Sequence, residues 1–341
     1  MATDMPVGLD IGAMSVRGVE TGRGRDGFVI SHFGQVPLAH GVVRAGVIQD
    51  QPMVTAALKK LWSQAKFKTK EVVLGVSNPQ VVVREMSVTN LPPRELKRSL
   101  PFQVRDSLPL PVERSLLDFY PLEDPGDHKT VRGLLIAAPK DAVLTAVRVA
   151  EKAGLLVTKV DLASFALVRA AARLDSYAEA LVDIGAQSTT VVVHVDGEPR
   201  IVRTVPRGGA EITESIANRF GVSVDEAEAL KCRIGLQLHE GPEVAELIRD
   251  SLRPLINEIR SSFTYLSSGS QSTDVRRVSL SGGGANLAGL AEMLRVQLEM
   301  EVILADPVMR LHRPGRGRHD QMDRVRSSAA VSIGLSLGAA A

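Results

Sequence analysis

Residues 7–19 read VGLDIGAMSVRGV, and residues 181–193 read LVDIGAQSTTVVV. Each is a short apolar run, then Asp-Ile-Gly, a small or polar turn, and a β-branched or apolar return. The pattern predicts a β-hairpin whose first strand ends at Asp10 or Asp183, with Gly12 or Gly185 giving the turn its backbone freedom. Bare N–H groups at such a tip form a concavity suited to phosphate oxygens. An aspartate repels phosphate directly, yet the same carboxylate sits well beside Mg²⁺, held directly or through water. One copy alone is a plain hairpin turn. Two copies, with Asp10 and Asp183 173 positions apart, predict two similar domains facing each other across a cleft and sharing one polyphosphate.

A third glycine segment extends the pattern. A strand ending Arg277-Val-Ser-Leu-Ser281 runs into Gly282-Gly283-Gly284-Ala285-Asn286, and an amphipathic helix is expected from about Leu287 to Leu298. Strand, triple glycine and helix make a site where backbone approaches a flat or anionic ligand closely. With the two hairpins, nucleotide binding is the economical reading. The Walker pattern Gly-x4-Gly-Lys-Ser/Thr does not occur, so an ATP site must be of the hairpin type.

Composition narrows the choice further. At 341 residues the chain is expected to hold about two domains. Lys plus Arg is 41 against 39 for Asp plus Glu, a formal net charge of +2, which removes the strongest argument for a nucleic-acid binder. Cys232 is the sole cysteine, so neither a disulfide framework nor a cysteine zinc site is available, and it is read as a buried structural thiol. The histidines are scattered and no Gly-x-Ser-x-Gly occurs, so a transition-metal site and serine-hydrolase chemistry have no support. Residues 1–6 carry no charged leader and no stretch reaches the ~18 apolar residues of a membrane helix, so a cytoplasmic location is expected. The richest stretch, Leu162 to Leu174, is broken by Arg169 and Arg173.

In this order and spacing the three segments resemble the phosphate-1, phosphate-2 and adenosine motifs of the actin, Hsp70 and sugar-kinase superfamily. Residues 84–120, REMSVTNLPPRELKRSLPFQVRDSLPLPVERSLLDFY, sharpen the resemblance. Leu-Pro-Pro, Glu-Leu, a helix ending in Leu-Pro-Leu and the step Asp118-Phe119 resemble the type IV pilus assembly PilM family. The division protein FtsA is similar in architecture. The closing Ala330-Val-Ser-Ile-Gly-Leu-Ser-Leu-Gly338 is similar to that family's final helix, which returns to the first subdomain.

The resemblance implies an α/β fold: a duplicated, ribonuclease-H-like, two-lobed actin-like ATPase with an FtsA-type inserted α+β subdomain. The implied division is 1–83, 162–178 and 325–341 for the first subdomain (1A) and 84–161 for the insertion (1C). The second lobe would take 179–207 and 270–324 (2A) and 208–269 (2B). The insertion would contain a strand at Gly133–Ala138 and a helix from Lys140 that Gly154 terminates. Further on, a helix running to Phe220 stops at Gly221, and Ser223 with Glu226 reads as a capping box for the next.

Site residues follow from the same resemblance. Asp10 and Asp183 would organise Mg²⁺ and the attacking water. Gly12, Ala13, Met14 and Ser15 with Gly185, Gln187, Ser188 and Thr189 would hold the phosphates of ATP. Gly209 and Gly282, Gly283 and Gly284 would line the nucleotide, with Glu228 and Lys231 along adenine and ribose. By spacing alone, Glu228 and Lys231 are equally an i,i+3 pair on a solvated helix face. Ala13 and Met14 stand where the family usually has hydroxyls, so binding is better supported than turnover and weak or no ATPase activity is expected. The implied partner is the short cytoplasmic tail of a PilN-like inner-membrane protein, in a groove by the insertion, with other platform proteins and motor ATPases beyond it. Contact with the membrane would be only indirect. The surplus apolar residues Leu91, Leu96, Leu100, Phe102, Val104 and Leu108 suit such a groove or ordinary packing. The segment Arg310–Arg326, rich in arginine, reads as a surface loop, with anionic lipid or nucleic acid as its other readings. A small-molecule kinase on the same scaffold and an FtsA-like filament former with weak self-association are the alternative functions.

Overall fold

A computed structural model describes residues 5–24, 27–123, 126, 128–175, 177–267, 274–311 and 326–339. β1 (Val7–Ile11), β2 (Ser15–Gly24) and β3 (Gly27–Pro37) form an antiparallel meander, followed by the two-residue strands β4 (Val43–Arg44) and β5 (Val47–Ile48). Helix α1 (Gln51–Ala65) then crosses to β6 (Glu71–Val76), which pairs parallel to β1. Asp50 caps α1 by accepting from the Met53 amide at 2.9 Å.

The insertion consists of β7 (Val82–Thr89), α2 (Pro93–Gln103), β8 (Ser115–Pro121) and β9 (Thr130–Pro139), with the strands in the order β7-β9-β8. Val88, Leu100, Val104, Val131 and Leu135 are its buried core, with Leu96 and Leu108 packed half-buried against them. Most of the expected apolar surplus is therefore the insertion's own interior. Leu91 is not part of that core, and Phe102 is 78% exposed.

The boundary expected at 84–161 takes in too much. Helix α3 (Lys140–Lys152) packs Val149 and Ala150 into the first-lobe core beside Leu58 and Leu61. Strand β10 (Leu156–Leu162) pairs parallel to β6, completing the first sheet as β10-β6-β1-β2-β3. Gly154, at φ 85°, turns the chain between them. Helix α4 (Ala163–Ala171) leads into the second lobe.

That lobe repeats the plan. β11 (Ala178–Ile184), β12 (Thr189–Val195) and β13 (Glu198–Val205) form a second meander. Helices α5 (Gly209–Phe220), α6 (Val224–Ile234) and α7 (Pro242–Ser267) precede β14 (Val275–Ser281), which is parallel to β11. α8 (Leu290–Leu298) and β15 (Glu301–Leu304) close the sheet as β13-β12-β11-β14-β15, the order of the first. Gly221 ends α5 at φ 65°, and Ser223 with Glu226 forms the expected capping box on α6. The helix expected at Leu287 begins at Leu290, because residues 283–286 form a 3₁₀ turn and Gly289 takes φ 84°.

Helix α9 (Ala330–Leu337) returns to the first lobe as expected. A Cβ on Gly8 of β1 would lie 2.0 Å from the Ser332 carbonyl, and one on Gly334 would lie 1.8 Å from that of Ala166 in α4. β1 thus has α9 on one face, against Gly8, and α1 and α3 on the other, where Val7 and Leu9 are both fully buried. Most of the Arg310–Arg326 segment, including Arg316 and Arg318, lies outside the described residues.

Candidate functional site

The two Asp-Ile-Gly turns are superimposable in their bonding. The Gly12 amide donates to the Ser15 carbonyl at 3.0 Å and the Gly185 amide to that of Ser188 at 2.9 Å. Register pairs Asp10 with Arg17 across the first hairpin and Asp183 with Thr190 across the second. Around them lies a cleft of about 530 Å³, within the usual range of small-molecule sites, roughly 300–1,000 Å³. Its walls include Asp10, Gly12, Ala13, Met14, Asp183, Gly185, Gln187, Ser188, Gly209, Glu228, Lys231 and Gly282 to Gly284.

Ser15 and Thr189, both expected to hold phosphate, are not on that surface. Ser15 is 2% exposed beneath the first turn, and its Oγ has no protein partner. Thr189 is fully buried and donates to the Arg207 carbonyl at 2.9 Å. Strand alternation explains the second case: Thr189 faces inward and Thr190 faces the cleft.

The glycines matter where backbone meets backbone. The Gly209 and Ala210 amides donate to the Gly185 and Ala186 carbonyls at 3.0 and 2.7 Å, pinning the start of α5 under the second turn. A Cβ on Gly282, at φ 83°, would stand 2.4 Å from the Ile184 carbonyl, so the triple-glycine loop rests directly on the end of β11.

Charge is arranged unevenly. Arg17 Nη1 lies 3.1 Å from Asp10 Oδ2, an ion pair the sequence reading missed. Its signal was present, since a hairpin turning at Gly12 places position 17 opposite position 10. Burial raises the Asp10 pKa, against the pull of Arg17. Burial likewise pushes Asp183 up to about 6; the Ser281 hydroxyl and Arg17 pull it down and the Asp10 charge adds to the rise. The carboxylates therefore sense each other across the lobes.

Glu228 and Lys231 are not a solvated pair. Lys231 is 8% exposed, and its Nζ bonds the Gly209 carbonyl at 3.0 Å, Thr213 Oγ1 at 2.8 Å and Glu228 Oε2 at 2.6 Å. Burial opposes the Glu228 charge, but the Lys231 and Thr213 bonds outweigh it and hold the carboxyl below its usual range. This network ties α6 to the start of α5 and so shapes the floor of the cleft. Cys232 corrects an expectation: it is exposed at the cleft, its Sγ 3.5 Å from Glu228 Oε1, and burial of the sulfur with the Glu228 charge raises its pKa. Also missed were His40, Ala45, Gly46 and Ser77, which line the cleft from loops without a local motif, and Asn286 at the end of the glycine segment.

The donor set fits a magnesium nucleotide. Two carboxylates from opposite lobes face a cavity rimmed by amides, and Mg²⁺ binds characteristically through one or two carboxylates plus phosphate oxygens and water. No cluster of three or more His, Cys, Asp or Glu suited to a metal occurs among the described residues.

Duplicated lobes presenting paired hairpins to a shared cleft define the actin-like ATPase fold. MreB5 of Spiroplasma citri bound to ADP shares it, at a TM-score of 0.55 and 13% identity over 97% of this chain and 94% of that one. The family that matches is the type IV pilus assembly protein PilM, over residues 8–340, and the chain belongs to it. A solved PilM-PilN type IV pilus biogenesis complex aligns at a TM-score of 0.88 and 26% identity, covering 99% of both chains. FtsA of Bacillus subtilis is 27% identical over 258 residues, 68% of this chain and 58% of that protein. The chain thus spans somewhat over half the length of such curated relatives. No helix among the described residues is long and apolar enough to cross a membrane.

Proposed function

We propose that this protein is the cytoplasmic, actin-like ATP-binding component of a type IV pilus inner-membrane platform. It binds the cytoplasmic tail of a PilN-like membrane protein and couples nucleotide state to pilus assembly. The observation that carries the reading is convergence: two hairpins and a glycine loop, from three distant parts of the chain, wall one cleft in a PilM-family fold.

In this reading the amides of Ala13 and Met14 and of Ala186 to Ser188 hold phosphates, those of Gly12 and Gly185 close the turns, and Arg17 adds a cation to the same wall. Gly282 to Gly284 line the nucleoside, while Lys231 and Glu228 position the start of α5. Asp10 and Asp183 would hold Mg²⁺, which would supply charge neutralisation for the phosphates. Asp10, already paired with Arg17, is poorly placed to accept a proton from water, and Ala13 and Met14 bring no hydroxyl, so binding outweighs turnover. A kinase also needs residues that recognise its acceptor, and the sequence carries no such signature beyond the two aspartates already assigned to the metal.

The tail would lie against the insertion, where Phe102 is exposed and Tyr120 stacks edge-on with Phe165 of α4 at 5.4 Å, joining insertion to first lobe. Leu108 packs on the insertion's core, so Leu108→Asp would disturb folding, and Phe102→Ala is the cleaner probe.

Calorimetric titration of Mg-ATP into wild type and Asp183→Ala, with phosphate release recorded in parallel, tests the reading. Binding lost in the variant, with negligible turnover, is expected. Rapid turnover dependent on a small metabolite would replace it with a kinase.

A further inference from the structure

Across the mouth of the cleft the lobes meet through a side chain. Gln187, at the tip of the second hairpin, accepts from the Ala45 amide through Oε1 at 2.8 Å. Ala45 and Gly46 are the two-residue turn between β4 and β5, with φ of 47° and 75°. Left-handed backbone at both positions marks a type I′ hairpin, and a residue other than Asn, Asp or Gly at the first is uncommon. This turn has little freedom to move. A Cβ on Gly46 would stand 1.8 Å from the Ser77 carbonyl, and the amides of Gln49 and Asp50 both donate to the Val42 carbonyl, at 2.8 and 3.2 Å. The Ala45 N–H is therefore held in place, aimed at the opposite lobe.

Gln187 was expected among the phosphate-holding residues, but its side-chain oxygen is an acceptor already engaged by protein. At the base of the cleft the lobes are joined differently, through α4 and α9 and through the Gly282 amide, which donates to the Ser327 carbonyl at 3.0 Å. Rotation about that base moves the mouth furthest, so a bond at the mouth resists opening with the longest lever.

We infer that Gln187 is a positioning residue that latches the second lobe to the Ala45–Gly46 turn of the first and thereby sets how fast nucleotide leaves. The inference rests on the nucleotide reading of the cleft. A ligand enclosed by two lobes escapes from the open state, so whatever stabilises closure slows release.

Hydrogen–deuterium exchange over residues 43–48 in the ligand-free protein reads the latch without nucleotide. Gln187→Ala, and Gln187→Asn with one methylene fewer, should each speed exchange of the Ala45 amide by about 2- to 10-fold, the range for one hydrogen bond. Gln187→Glu keeps an acceptor at the same reach and should keep the protection. In stopped flow, mant-ADP should leave the Ala and Asn variants faster by a similar factor. Unchanged exchange in those two variants, or protection lost in Gln187→Glu, overturns the latch whatever nucleotide does. Faster exchange with unchanged mant-ADP release overturns its control of the ligand. Should wild type fail to bind mant-ADP while exchange still responds, the nucleotide reading falls and takes that control with it, leaving only an interlobe contact.

Discussion

Arg17 holds its guanidinium 3.1 Å from the Asp10 carboxylate, across neighbouring strands of the first hairpin. Its counterpart in the second hairpin is Thr190, which sits opposite Asp183. The duplication is therefore symmetrical in backbone and asymmetrical in charge. One loop brings a cation to the cleft and the other a hydroxyl.

Removing that cation should weaken nucleotide binding. Arg17→Ala is expected to lower Mg-ADP affinity about 10- to 100-fold, the range for a hydrogen bond to a charged group. Arg17→Lys should recover part of the loss. Calorimetry at fixed salt decides it, and full affinity in Arg17→Ala would restrict Arg17 to steadying Asp10.

Asp183 makes stability depend on pH in a defined direction. Its carboxyl is raised from 3.8 to about 6, so the folded state takes up a proton more readily than the unfolded chain. Folding stability is then lost as pH climbs between about 4 and 6, by up to about 3 kcal/mol at 1.36 kcal/mol per pKa unit. Asp183→Asn should raise the ligand-free melting temperature at pH 8 and much less at pH 4. Mg-ADP, which needs the carboxylate ionised, should bind wild type more weakly below pH 6. Equal shifts for the variant at both pH values would refute the assignment.

Where α4 and α9 cross, Gly334 leaves no room for a methyl group, the added Cβ falling 1.8 Å from the Ala166 carbonyl. Gly334→Ala should cost about 3 kcal/mol in urea unfolding, the upper end for overpacking. Gly221→Ala meets no neighbour within 4 Å and bears only its φ of 65°, so about 1 kcal/mol is expected there.

The α6 capping box offers a milder test. Ser223 Oγ accepts from the Glu226 amide at 3.3 Å, and the Glu226 carboxylate takes the Ser223 amide at 2.9 Å. Ser223→Ala should cost about 1 kcal/mol. Since α6 carries Lys231 against the start of α5, nucleotide affinity should fall slightly with it.

The duplicated hairpins, the glycine loop and the capping box were legible in the sequence. Each is written in adjacent residues through strand alternation, turn chemistry or helix capping, so each is local. Which neighbours those elements meet is a matter of packing between distant parts of the chain. β10 left the insertion for the first sheet because a strand's partner lies elsewhere in the chain. Cys232 turned to the cleft because α6 spends its buried face on Ala227, Lys231 and Ile234. Ser15 sank beneath its turn although Ser188, in the matching position, lines the cleft. Gln187 found Ala45, 142 positions away, because two lobes docked at that angle. A hydrogen bond between such distant residues depends on the packing of everything between them, and no local pattern records that.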